Sequence, residues 1–337
     1  MLQKVVSVKD LAWYLNVSTR QLKELKVNEH YITFEVSKPG STEKRLIEAP
    51  TGWLKFALDR LSDGLQWLYS DHRTSAAHGY IRSVKNDPDK RTIFTNAQKH
   101  IGKNYLLNMD FDNFFHQITE EKIRMLLAQS QLFSFNAETE ELLTQLVCYN
   151  GRLPMGSPTS PPLSNFVVMD LDKELTRWTR HQKIIYTRFV DDLSFSSEHP
   201  ISSGQFEMIN TICKEHHFLP DPEKTKWYGK NDRKEVTGLM VTNKISLPPE
   251  YLTALENEIK RYKELKSLIL QFPDYQVIDW AKKLEQVING RLNFVKSTYG
   301  STSKEYNTLL DAFHGLNSID TEEQSLSWRY AGYEFFS

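Results

Sequence analysis

Only two cysteines, Cys148 and Cys213, occur in 337 residues. That excludes a disulfide framework and a thiolate metal site. No stretch approaches the run of about 18 apolar residues that would cross a membrane, and no membrane partner is expected. The opening run Met-Leu-Gln-Lys-Val-Val-Ser-Val-Lys-Asp lacks the apolar core of a signal peptide. A reducing cytoplasm is the location these absences favour. Net charge is nearly missing as well: 42 Lys and Arg stand against 43 Asp and Glu, a formal charge of −1, which argues against a generic polyanion binder. No internal repeat or low-complexity tract is present. What remains is an ordinary globular composition, 39% hydrophobic and 12% aromatic, with length for two or three compact units.

The charge is sorted rather than scarce. Residues 72–104 hold seven Lys/Arg against two Asp, 224–234 hold five against one, and 260–296 hold eight against four. Residues 110–144 and 305–337 each carry a balance of −5. Basic tracts beside an acidic segment suit a cleft that grips phosphates in one place and metal ions in another.

Residues 186–196 read Tyr-Thr-Arg-Phe-Val-Asp-Asp-Leu-Ser-Phe-Ser. Before Asp191 and Asp192, the segment Ile184–Val190 is rich in β-branched and aromatic residues. After them, Leu193 and Phe195 alternate with Ser194 and Ser196, the period of a half-buried strand. The pattern predicts a β-hairpin with both carboxylates at its tip. Asp favours turns on its own account, yet two adjacent carboxylates repel, and one stays protonated unless a cation neutralises them. A hard divalent ion suits the pair, and Mg2+ commonly takes one or two carboxylates plus substrate phosphates. A second acidic segment, Asn104–Asp112, places Tyr105, Leu107, Met109 and Phe111 on one face by period two. Asp110 and Asp112 share the other with Leu106 and Asn108. Two such strands converging in one sheet would hold two metal ions for phosphoryl transfer to a nucleotide.

In their order, these segments resemble the motifs of reverse transcriptases. Phe189-Val190-Asp191-Asp192 is similar to the Tyr-x-Asp-Asp box, with Phe in place of Tyr. Asp110-Phe111-Asp112-Asn113-Phe114-Phe115 resembles the first acidic motif. Leu153-Pro154-Met155-Gly156-Ser157-Pro158-Thr159-Ser160-Pro161, with Asn165, resembles the nucleotide-binding loop and its following helix; Met155 stands where the family more often has Gln. Pro220-Asp221-Pro222-Glu223-Lys224-Thr225 is similar to the next motif. Asn96-Ala97-Gln98-Lys99-His100 and Val236-Thr237-Gly238 resemble the Asn-Ala-x-x-His and Val-Thr-Gly elements of bacterial retron reverse transcriptases. The likeness covers about residues 40–300.

The resemblance implies an α+β fold of right-hand polymerase architecture, with fingers, a palm of antiparallel sheet plus helices, and a helical thumb. It assigns two Mg2+ ions, with Mn2+ as a substitute, to Asp110, Asp191, Asp192 and Phe111. It makes Lys224 the acid for the leaving pyrophosphate, completing a catalytic set with the three aspartates. Phe115, Pro154, Gly156 and Asn165 become nucleotide-binding: Phe115 crowds a ribose 2′-OH, and Gly156 admits the nucleotide closely for want of a Cβ. Asn96, His100, Val236, Thr237 and Gly238 become RNA-binding. The implied partners are deoxynucleoside triphosphates, an effector protein in phage defence, and a structured noncoding RNA. That RNA would serve as template and, through a guanosine 2′-OH, as primer, giving branched msDNA.

The expected divisions are an N-terminal helical segment (1–30), fingers (31–103), palm (104–245), thumb (246–300) and a C-terminal tail (301–337) carrying Trp328, Tyr330, Tyr333, Phe335 and Phe336. A hairpin turn is expected at Pro39-Gly40, and helices near 52–70, 119–131, 137–148, 160–180 and 203–217. Three other readings compete. One is an RNA-binding scaffold that inhibits a toxic effector, and another a reverse transcriptase of abortive-infection or group II type. The third is a transcription regulator built on a helix pair in 7–27, with Ser18 capping the second helix. The intact carboxylate set argues against a pure scaffold, and the regulator leaves four ordered motifs unexplained.

Overall fold

The computed structural model describes residues 2–37, 44–83, 86–272 and 274–315. The expected turn at Pro39-Gly40 and the aromatic tail residues Trp328–Phe336 lie outside the described residues. The chain divides into two compact units, Met1–Thr237 and Gly238–Ser337.

The first unit opens with α1 (Val8–Leu15) and α2 (Thr19–Lys23), each entered through a capping box, Ser7 with Asp10 and Ser18 with Gln21. Leu11, Leu15 and Leu22 are fully buried. At five residues, α2 is short for the recognition helix a regulator needs. Strands β1 (Tyr31–Ser37) and β2 (Lys44–Pro50) form an antiparallel ladder from Tyr31↔Pro50 to Ser37↔Lys44. Helix α3 (Gly52–His72) then buries Leu54, Leu58, Leu61, Leu65 and Leu68 at helical spacing. A short α4 (Ile93–Gln98) is capped by Thr92.

The central sheet joins β3 (Tyr105–Asp110), β4 (Ile185–Phe189), β5 (Asp192–Ser197) and β6 (Lys226–Tyr228) in the order β4-β5-β3-β6, all antiparallel. Around it run α5 (Glu120–Gln129), α6 (Ala137–Val147), α7 (Ser160–Val167), α8 (Met169–His181) and α9 (Ser203–Glu215). The single helix expected over 160–180 is two, parted at Val168. Mixed helix with antiparallel sheet is the expected α+β class.

Register divides the sheet into two faces. Leu107, Met109, Tyr186, Arg188, Leu193 and Phe195 share one face, in the main hydrophobic core. Asp110, Asn108, Asp192, Ser194, Ser196 and Thr187 share the other. The serines of β5 are buried, contrary to the half-exposed strand its alternation predicts. β5 has a strand on each side, and His100, just beyond α4, covers its polar face through a hydrogen bond to Ser196. A two-residue strand, β7 (Glu235–Val236), ends this unit's secondary structure, with the Glu235 carbonyl accepting from Asn108 Nδ2 at 2.7 Å.

In the second unit β8 (Leu239–Val241) pairs antiparallel with β9 (Ile245–Ser246). The helices α10 (Pro249–Gln271), α11 (Tyr275–Tyr299) and α12 (Lys304–His314) follow, burying Leu255, Ile259, Ile288, Leu292, Val295, Leu309 and Phe313. No described helix is long and apolar enough to cross a membrane.

Candidate active site

The hairpin of β4 and β5 closes through two residues, Val190 and Asp191, with Phe189↔Asp192 as the last pair. Val190 has φ +64°, a conformation that costs a β-branched residue about 1–2 kcal/mol and that glycine usually supplies in such turns. What holds it is Arg188, whose side chain is wholly buried. Its Nη1 donates to the Val190 carbonyl at 2.8 Å, and Nε and Nη2 donate to the two Asp172 oxygens at 2.9 Å each. Nη2 also donates to Asn165 Oδ1 at 3.1 Å. Asp172 accepts further from Tyr186 and Thr74 hydroxyls. With every polar atom paired, the buried ion pair is tolerable; breaking it would strand a charge.

Residues 76–79 flank the same hairpin. The Arg188 N–H donates to the Ala76 carbonyl, and the His78 N–H donates to the Arg188 carbonyl, both at 2.8 Å. Gly79 presses against the turn, where a Cβ would lie 2.6 Å from the Val190 nitrogen. No other residue fits there without moving the turn.

At the tip, Asp110 and Asp192 face each other across β3 and β5, a like-charge pairing that is unfavourable alone. Asp191 completes a cluster whose carboxylate oxygens lie within 4.8 Å of one another. Burial, then the charge of Asp110, pushes the Asp191 carboxyl up. Burial, then Asp191 and Asp110, raises Asp192 to about 7. Lys224 Nζ donates to Asp110 Oδ1 at 2.9 Å and lies 3.5 Å from Asp221. Burial pulls its ammonium down, but these two carboxylates outweigh that and hold it above the ordinary lysine range. One lysine leaves the cluster short of positive charge, and an all-oxygen donor set is what a hard divalent cation takes. The chemistry of the residues therefore fits the metal. Asp112 is not among them: β3 ends at Asp110, and the Asp112 N–H donates to the Leu219 carbonyl. An antiparallel bridge between Phe111 and Pro220 carries the pairing on past β3, and the Asp112 carboxylate accepts from Asn113 Nδ2 at 2.8 Å.

The other expected residues divide. Phe115 is half-buried, 6.3 Å from the ring of Tyr80, whose hydroxyl is raised by burial and then by the charge of Asp191. Tyr80 thus stands within electrostatic reach of Asp191. Phe111 buries its ring against Phe114 and Phe218, leaving only backbone for a metal, and its N–H donates to the Asp191 carbonyl at 3.2 Å. Pro154 is buried, its carbonyl accepting from Ser160 Oγ. Asn165 is fully buried, donating to the Gly79 carbonyl at 3.0 Å while it accepts from Arg188. Its side chain braces the turn through these bonds. Gly156, at φ +137°, would place a Cβ 2.8 Å from the Glu48 carbonyl oxygen. The close approach it permits here is to β2, which is tied to the same loop by Glu48 N–H to Met155 carbonyl and by Arg152 to Glu48.

Asn96 and His100 are each 1% exposed. The His100 ring bonds Ser196 Oγ and Thr187 Oγ1, both at 2.7 Å, and burial drives its pKa down to about 3. Val236 is buried, and Thr237 Oγ1 donates to the Ile93 carbonyl at 3.3 Å. These segments brace the sheet against α4. In this structure the burial of Asn96 and His100 leaves neither side chain a surface. Gly238 is exposed at φ +77°.

Sequence reasoning missed Arg188, Asp172, Gly79 and Tyr80. A signal for two of them exists: Asp172 sits on the apolar stripe Val168, Leu171, Leu175, Thr179, and a charge in a buried stripe calls for a buried partner.

Residues 36–252 match the family described as reverse transcriptase (RNA-dependent DNA polymerase). Retron Ec86 reverse transcriptase of Escherichia coli is 24% identical over 91% of this chain and 89% of its own length. Retron Mx162 reverse transcriptase of Myxococcus xanthus is 27% identical over 71% of this chain, which spans about half, 54%, of that protein. Among solved structures, telomerase from Candida albicans in complex with the TWJ fragment of telomeric RNA covers 91% of this chain and 66% of its own at 11% identity, with a TM-score of 0.46, too low for any argument.

Proposed function

This chain belongs to the reverse transcriptase family as a retron-type RNA-directed DNA polymerase, and on that premise we propose that it copies a structured noncoding RNA, primed from a guanosine 2′-OH, into branched msDNA. The observation that carries the chemistry is the clustering of Asp110, Asp191 and Asp192 within 4.8 Å. Asp110 and Asp191 would hold two Mg2+ ions, with the Phe111 backbone and Asp192 at their side. When bound, the ions supply acidity to the attacking hydroxyl and charge to the leaving pyrophosphate. Lys224, kept protonated beside Asp110, is the proton donor in this reading. Phe115, with Tyr80 at its side, would crowd a ribose 2′-OH and so favour deoxynucleoside triphosphates. Work with an effector protein in phage defence, in the cytoplasm, belongs to the same proposal.

The test is to extract nucleic acid from the purified protein and treat it with RNase and with a debranching enzyme. A DNA strand that shifts on debranching is expected; linear DNA alone would remove the branched priming. For sugar choice, Phe115→Val should raise ribonucleotide incorporation relative to deoxynucleotide in single-nucleotide extension. An unchanged ratio would place the selection elsewhere.

A further inference from the structure

Away from the carboxylates, a cavity of about 540 Å3 lies between the end of α3 and the outer face of α8. Its basic lining is Arg73, Lys173, Arg177 and Arg180, with His72 and His181 beside them, and no acidic residue joins them among those described. The acidic side chains of α8 are committed elsewhere. Asp170 pairs with Lys173 at 2.9 Å, Asp172 is buried on Arg188, and Glu174 meets His216 at 2.8 Å. Arg73 is held by Asp87 and Asp89. Arg177 and Arg180 are both exposed, and no carboxylate among the described residues lies within ion-pair reach of either. Thr176, also in the lining, carries a hydroxyl with no hydrogen-bond partner among the described residues.

We propose that this cavity is a second RNA site, which grips the phosphate backbone of the RNA outside the polymerising centre. Positions 173, 177 and 180 fall on one helical face and span about 10 Å, so the cations follow a strand rather than converge on one point. Unpaired guanidinium forks match phosphate oxygens bidentately. The lining holds no apolar side chain, whereas a protein partner would need a desolvated apolar centre. Backbone phosphate is therefore the chemistry the cavity fits. The choice of RNA rests on the polymerase reading above.

The experiment uses the full chain and a fluorescently labelled stem–loop RNA with a long single-stranded extension, titrated at several salt concentrations. R177E with R180E should weaken binding about tenfold and reduce the slope of log K against log salt by about 1.4, the share of two single-strand phosphates. Extension of a short annealed primer–template should keep its wild-type rate, and R177K with R180K should retain most of the affinity. An affinity within twofold of wild type, with the salt slope unchanged, would overturn the site. Equal loss of binding and short-primer extension, with a lowered melting temperature, would overturn it too. If the wild type extends no primer but its RNA binding still falls in R177E/R180E, the site stands and the polymerase reading fails.

Discussion

The two hairpins of the first unit were written in similar local code and came to opposite fates. β1–β2 exposes Ile32, Phe34, Val36 and Leu46, each 45–54% accessible. β4–β5 buries five of the six residues of its second strand and locks its turn with a buried arginine. One hairpin keeps its backbone paired and leaves these four apolar side chains exposed. The other surrenders its freedom so that two carboxylates stand at a fixed place. Difference in partners, not in propensity, separates them: β5 lies between two strands, while β1 and β2 have only each other.

Several changes would break or sharpen that contrast. The largest effect belongs to Asp191→Asn, which keeps the shape of the turn and removes a charge that metal ions need. Primer extension should fall by orders of magnitude while the urea midpoint stays level or rises, since one repulsion is gone. Near wild-type extension would refute the catalytic assignment.

Arg188→Met should destabilise by about 3–5 kcal/mol, because Asp172 is left buried and unpaired. Arg188→Met with Asp172→Leu should recover much of that stability but not the polymerase activity, as the Val190 carbonyl still lacks its donor. Recovery of both would mean that the clamp serves stability alone.

His100→Asn tests the polar face of the same hairpin. Burial pushes folded His100 down to about 3 against about 6.5 unfolded, so its neutral form is the one folding favours. The associated stability is fully present above about pH 6.5 and is lost as pH falls towards 3, on the order of 5 kcal/mol in all. The variant should be less stable at pH 7 by about 1–3 kcal/mol for lost hydrogen bonds, yet show a shallower loss on acidification. His78, also driven by burial to about 3, should supply the slope that remains. An unchanged acid slope would contradict the buried neutral ring.

Smallest of all is Phe34→Ser on the open hairpin, which should shift stability by no more than about 0.5 kcal/mol. A change beyond about 2 kcal/mol would show that β1 is covered in solution and end the contrast.

Much of the site was legible because its signals are local. The adjacent pair Asp191-Asp192 after a β-branched run, and Asp110 at the end of an alternating segment, announce two strands and a metal-seeking cluster. Their faces follow from period two. Helix ends were legible where caps are chemical, as at Ser18 and Thr119, which accept from Gln21 and Lys122 backbone N–H groups. Asn165 and His100 were legible as residues of note, but not their buried hydrogen bonds to Gly79, Arg188, Ser196 and Thr187, since a motif names a residue without saying which way its side chain points.

By itself the sequence determined the element types, the charge at the hairpin tip and the order in which the pieces meet. Only tertiary structure decided that Asp112 leaves the cluster, that the serines of β5 are covered, and that Arg188 holds the turn. The reason is physical. Periodicity and capping act within a few residues, whereas the bonds from Asn165 to Gly79, from Thr74 to Asp172 and from Asn108 to Ser194 join residues 86, 98 and 86 apart in the chain. Such partners meet only when the whole sheet closes, and burial there, not residue type, sets what each group can do.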